Sequence, residues 1–160
     1  MLFPVLSLVL MMSFDIGPSV GAFVPVQDEG DPWRASFLLG VKARLGLQVV
    51  DIDGELQFTT LGIDPDSSRG YDYSMIPISL GASRNFIGMR FGLGGAIYNI
   101  EATADISEGL QAVWKGTFPG MYFSLGKDIP LGCAMGDLSA KFNIIDFNGL
   151  WIGLTASVLF

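Results

Sequence analysis

The sequence contains no histidine and a single cysteine, Cys133. Without histidine it lacks the commonest general base and metal ligand at neutral pH. One cysteine permits no internal disulfide, which suits a periplasm-transiting protein and a cytosolic one alike. Charge is sparse at 16% of residues, and 9 Lys+Arg against 16 Asp+Glu leave a net charge of −7. There is no basic stripe, so nucleic acid is not an expected partner. Long apolar runs are missing as well. The longest candidate, Leu2 to Met12, is broken by Pro4 and Ser7 and falls short of the ~18 residues of a membrane helix.

What the chain does have is apolar residues, at 50%, and 21 glycines. High hydropathy without a spanning helix leaves two solutions, a soluble core or strands that face lipid. The pattern decides between them. In Phe37, Leu39, Val41, Ala43, Leu45, Leu47, Val49 every odd residue is apolar, while the even positions hold Ser36, Leu38, Gly40, Lys42, Arg44, Gly46 and Gln48. A period of two means strand, because successive side chains leave a pleated strand on opposite faces. One face is wide and oily; the other is mostly glycine, serine and charge. That pairing predicts an all-β chain, an eight-stranded antiparallel up-and-down transmembrane β-barrel with lipid outside and a polar interior.

The length of 160 residues implies one domain. Residues 1–11 read as a signal-peptide remnant or frayed lead-in, and 12–160 as the barrel. Val20-Gly21-Ala22 resembles a cleavage site, but a basic leader is missing and cutting there would destroy a good strand. Strands are expected at about 13–26, 33–50, 55–62, 71–83, 86–99, 118–126, 135–144 and 149–160. The stretch 100–117 reads as a long hairpin tip or a loop with extra pairing.

Tight turns are expected at Asp53-Gly54, Arg84-Asn85 and Lys127 to Gly132. Across each, the polar face swaps between odd and even numbers, as a two-residue hairpin demands. These turns share one end of the barrel with both termini, and the longer loops take the other. Trp33, Tyr71, Tyr73 and Trp114 lie near that loop end, where an aromatic girdle is expected; Tyr98 and Trp151 fall on the inward face.

The chain resembles the small eight-stranded outer-membrane proteins, the group of OmpA transmembrane domains, OmpX and the neisserial opacity proteins, over about 13–160. The likeness rests on pattern and on the closing segment Gly149 to Phe160, with Ile152, Leu154, Ala156, Val158 and Phe160 alternating outward. The resemblance implies that barrel-assembly machinery reads this segment. Thr155 stands where such segments usually carry glycine, with Gly153 displaced. The resemblance also implies residence in a bacterial outer membrane, with the bilayer and lipopolysaccharide as surroundings. Lipid A deacylases and palmitoyltransferases resemble the same barrel but use a catalytic histidine, so those mechanisms are excluded. No enzyme activity, cofactor or metal is expected.

The inward charges are Asp15, Arg34, Lys42, Arg44, Glu55, Arg90, Asp137 and Lys141. A barrel this narrow is filled by its own side chains, so they are expected to form a salt-bridge network rather than a conduit. The long loops carry Asp28, Glu29, Asp31, Asp64, Asp66, Glu101, Asp105, Glu108 and Asp146, a surface for a possible extracellular partner that is basic or a divalent cation. Asp64 to Ser68 resembles a calcium loop but lacks its glycine and closing glutamate. Gly88 to Gly95 is glycine-rich, yet alternation runs straight through it, which no phosphate loop shows. A nucleophile would have to be a Ser–Asp or Ser–Lys site, for example Ser139 with Lys141. The function expected is structural or interactive: envelope integrity or adhesion. The alternatives are an OmpW-like channel or binder for small or hydrophobic solutes, and a soluble lipocalin-like barrel with its oily face inward.

Overall fold

Alternation of apolar with small or polar side chains becomes a sheet with two unlike faces, and that sheet closes on itself. The computed structural model describes residues 12–26, 33–63, 71–107, 110–146 and 149–160. The strands are β1 (Ser13–Pro25), β2 (Trp33–Arg34), β3 (Ser36–Gly46), β4 (Asp51–Thr60), β5 (Gly62–Ile63), β6 (Tyr71–Phe86), β7 (Met89–Ser107), β8 (Leu110–Leu131), β9 (Ala134–Ile145) and β10 (Gly149–Leu159). Eight of them form a closed barrel in the order β1-β10-β9-β8-β7-β6-β4-β3, with β3 returning to β1. Every pairing is antiparallel. The short strands β2 and β5 pair separately, Trp33 opposite Ile63 and Arg34 opposite Gly62.

Closure reaches the last residue. Ser19 lies opposite Ser157 in the β1–β10 register. The same register runs on to Phe160, whose N–H donates to the Ile16 carbonyl at 3.2 Å while the Ile16 N–H donates to the Phe160 carbonyl at 3.2 Å. No barrel strand is left with an open edge, the requirement for a sheet surrounded by lipid.

The tight turns lie at the end that holds the termini, but displaced from the positions expected. Leu47 to Val50 joins β3 to β4, with the Leu47 N–H donating to the Val50 carbonyl at 3.2 Å. Ile87-Gly88 joins β6 to β7, and Gly132-Cys133 joins β8 to β9. The faces survive each shift because opposite residues still sum to an odd number, as Lys42 with Glu55 does. The physical reason for the first shift is charge. A turn at Asp53-Gly54 would carry Glu55 away from Lys42 and Asp53 away from Arg44, which the observed register sets opposite one another.

The stretch 100–117 is paired strand. The β7–β8 ladder continues from Tyr98–Phe118 to Ser107–Leu110, with a register shift between Asp105 and Ser107. The β8–β9 ladder ends at Gly120–Ile145, so this hairpin extends beyond the point where β9 stops.

Outward-facing Leu39, Leu80, Phe91, Leu93, Phe123 and Leu154 are exposed, whereas inward-facing Lys42, Arg44, Glu55 and Asp137 are buried. This is the inverse of a soluble protein and the opposite of a lipocalin, which needs its oily face inside. Glycines shape the inner wall. Gly81 and Gly94 lie opposite each other, and a Cβ on either would collide with the Tyr122 side chain. Their absent side chains make room for that ring.

The β6–β7 turn holds a specific cost. Ile87 has φ 52° and Gly88 φ 75°, and a β-branched residue is poorly suited to the left-handed region. Ile87 is 86% exposed, so no packing offsets this. Ile87→Asn, which builds the Asn-Gly pair favoured in such turns, should raise unfolding stability by about 1 kcal/mol, read as a higher urea midpoint of the folded barrel. An unchanged or lower midpoint would show the turn to be unstrained.

Candidate functional site in the charged lumen

β3, β4, β6, β7, β8 and β9 each aim polar side chains at the barrel axis. Arg44 on β3 is the hub. Its Nε donates to Asp53 Oδ1 at 2.8 Å, its Nη1 to Asp128 Oδ1 at 3.2 Å and its Nη2 to Asp137 Oδ2 at 2.5 Å. The other Asp137 oxygen accepts from Lys42 Nζ at 2.7 Å. Lys42 also lies 3.2 Å from Glu55 Oε1, and Lys141 Nζ lies 2.8 Å from Glu55 Oε2. Glu55 thus ties two lysines together, each carboxylate oxygen in contact with one ammonium. Lys141 donates to Ser79 Oγ at 3.1 Å and sits 4.5 Å over the Tyr122 ring.

Toward the turns, Arg90 Nη1 reaches Asp51 Oδ2 at 2.9 Å, and its Nη2 bonds Asp128. Ser83 donates to Asp53, and Asn85 Nδ2 donates to Asp128 Oδ2 at 3.0 Å. The network holds four cations and five carboxylates. Toward the loops it gives way to an apolar cap of Phe23, Leu38, Met75 and Tyr98, with Trp151 stacked 4.9 Å from Phe23. Tyr98 Oη donates to Asn143 Oδ1 at 2.9 Å. Among the described residues, cavities of about 10 Å³ lie between these groups, at the lower limit for holding one water.

Six of the eight inward charges expected from the sequence meet here: Lys42, Arg44, Glu55, Arg90, Asp137 and Lys141. Asp15 lies opposite Arg44 in the register but makes no ion pair among the described residues. Arg34 must be corrected: it is exposed, and it belongs to β2 outside the barrel. The break at Ala35 between β2 and β3 separates it from the strand whose alternation it seemed to continue. Asp51, Asp53 and Asp128 were missed because they fell in expected turns. Their signal was present. Asp51 and Asp53 extend the odd-numbered polar row of Glu55, Gln57 and Thr59, and Asp128 extends the even row of Ser124 and Gly126.

The aromatic end differs as well. Tyr73 is half-buried against the apolar cap. Trp114 lies opposite Ala102 on the inward register, 54% exposed, with its ring 6.1 Å from Phe118. Neither forms an outward girdle, because both lie on inward rows, Tyr73 with Met75 on β6 and Trp114 with Tyr122 on β8. The Trp33 and Tyr71 side chains lie outside the described residues. Along β10, Leu154 is exposed and Ile152, Ala156 and Val158 are half-buried, while Phe160 beyond it is exposed.

Of the loop acids, Asp28, Glu29, Asp31, Asp64, Asp66 and Glu108 lie outside the described residues, as do the calcium-like segment and the Asp105 side chain. Glu101 pairs with Lys115 at 2.7 Å, and Asp146 is exposed. Ser139 and Lys141 do not face each other chemically. Ser139 Oγ is 2.8 Å from Thr155 Oγ1, and Lys141 is held by Glu55 and Ser79.

Removing one partner from a buried pair leaves an uncompensated charge, which costs about 3–5 kcal/mol. Arg44→Gln and Asp137→Asn should each lower barrel stability by that order in urea unfolding from lipid vesicles. The double variant should cost less than the two singles combined, since both remove the same contact. Additive losses would mean that the two groups do not interact.

No protein-family model and no curated protein sequence matches the chain. Solved structures do. Neisserial surface protein A (NspA) is 13% identical over 92% of this chain and 97% of its own, with a TM-score of 0.61. The N-terminal β-barrel domain of Pseudomonas aeruginosa OprF is 12% identical over 91% of this chain and 97% of its own, at 0.56. Ail, the attachment invasion locus protein of Yersinia pestis, solved with the heparin analogue sucrose octasulfate, is 15% identical over 92% of this chain and 95% of its own, at 0.55. At these identities the likeness speaks for architecture alone: the chain is a closed eight-stranded antiparallel β-barrel, similar in fold to these three outer-membrane proteins.

Proposed function

We propose that the chain is an integral protein of a bacterial outer membrane with a structural or surface-interaction role, in envelope integrity or adhesion. The observation that carries this reading is the pairing of an exposed apolar outer face with a buried, internally paired lumen. Such a surface is stable only against acyl chains. In this orientation the tight turns and termini face the periplasm and the long loops face outward, beside lipopolysaccharide. The alternating face of Ile152, Leu154, Ala156, Val158 and Phe160 is then the segment offered to the barrel-assembly machinery.

A contact role for the loops is supported by their charge. Nine carboxylates fall in or beside them, from Asp28 to Asp146. A basic partner or a divalent cation complements that surface. A polyanion such as the octasulfate bound by Ail would be repelled by it, so adhesion through this chain would differ in chemistry from that neighbour. The channel reading is disfavoured by the lumen, whose ion pairs and apolar cap leave cavities of about 10 Å³.

Detergent-extracted protein should show heat-modifiable gel mobility, the unboiled form migrating as a compact barrel in the membrane fraction. In planar bilayers it should give no discrete openings. Protein recovered soluble without detergent would refute membrane residence, and stepwise conductance would favour the channel.

A further inference from the structure

Two cations stand apart from every other described lysine and arginine. Arg84 on β6 and Lys127 on β8 make no ion pair or hydrogen bond among the described residues, whereas the rest have partners. Both are exposed and both sit on the outward register. Lys127 interrupts the row Phe123, Leu125, Ile129, Leu131, and Arg84 stands between outward Ala82 and exposed Phe86. Asp128, the neighbour of Lys127, faces the lumen and is held by Arg44 and Arg90. An apolar row from Met121 to Leu131 spans about 25 Å along the barrel axis at ordinary strand rise and tilt. Lys127 therefore lies inside the band, where an unpaired charge facing lipid is unfavourable.

The two cations flank one strand. Arg84 lies opposite Phe91, and Phe91 lies opposite Leu125, two residues before Lys127. Standard strand spacing puts their Cα atoms about 12 Å apart, so two long flexible side chains reach one anion between them. Lys127 also borders an almost wholly apolar groove of about 640 Å³ on the outer face, over Leu125, Leu138, Ala140, Leu154 and Ala156. The alanines are short beside their leucine neighbours and form its floor.

We propose that this face binds an anionic phospholipid of the leaflet at the turn end, with its phosphate between Arg84 and Lys127 and an acyl chain in the groove. The inference rests on the membrane reading above. It turns two unfavourable outward charges into a recognition element, since both cations reach toward the headgroups while their stems stay among apolar side chains. Net negative charge on the headgroup distinguishes the ligand from zwitterionic lipid, whose ammonium offsets its phosphate.

The test uses the folded full chain in phosphatidylcholine bilayers carrying spin-labelled phosphatidylglycerol or spin-labelled phosphatidylcholine. The motionally restricted fraction should favour phosphatidylglycerol by at least about fivefold at low salt, the effect of one basic residue at an anionic surface. The preference should fall toward parity in R84Q/K127Q and in high salt, persist in R84K/K127R, and be untouched in K115Q at the opposite end. Equal association of the two lipids with the wild-type chain would overturn the site. So would a preference that survives both neutralisation and high salt. The salt series serves if the neutralised variant does not fold. A chain that inserts into neither bilayer would instead bring down the membrane reading itself.

Discussion

Eight strands close into a tube too narrow to hold solvent, and that one restriction governs the interior. At mid-barrel the charged side chains of Lys42, Arg44, Glu55 and Asp137 are buried away from bulk water. Moving one ion from water to a dry interior costs on the order of 20 kcal/mol in the idealised limit, and only an opposite charge at contact distance recovers it. Arg44 answers with three carboxylates at once, one for each guanidinium nitrogen. Lys42 and Lys141 answer by sharing Glu55. The observed register sets Lys42 opposite Glu55 and Arg44 opposite Asp53 across the β3–β4 pair.

The same narrowness explains the cap. Above the charges, Phe23, Leu38, Met75 and Tyr98 fill the tube with apolar bulk, and Tyr98 Oη there donates to Asn143 Oδ1. Charge below and aromatic bulk above make a stopper of two materials. The ion pairs hold the register, and the cap separates them from the loop end.

Period-two alternation made the barrel legible because it is a property of each strand alone. Lys42, Arg44, Glu55, Arg90, Asp137 and Lys141 could be assigned inward by parity without knowing which strands were neighbours. Turn positions were less legible. Asp53-Gly54 has the local chemistry of a tight turn, yet the structure runs straight through it, because pairing Asp53 with Arg44 outweighs a favourable turn dipeptide. The same competition hid Asp51 and Asp128. Arg34 shows the converse error, alternation followed across a strand break that no local signal marks. The aromatic girdle was misread although parity carried the signal: Tyr73 shares the odd row of inward Ser79 and Gly81, and Trp114 the even row of inward Ser124 and Gly126.

Charge is distributed with a purpose that composition alone obscures. The lumen network is nearly self-neutral, with four cations against five carboxylates, so subtracting it from the chain's 9 bases and 16 acids leaves about −6 elsewhere. Nearly all the remaining acids fall in or beside the loops, while the outward cations Arg84 and Lys127 fall near the turns. A barrel with its loops outside and its turns inside then presents negative charge to the exterior and positive charge to the inner leaflet.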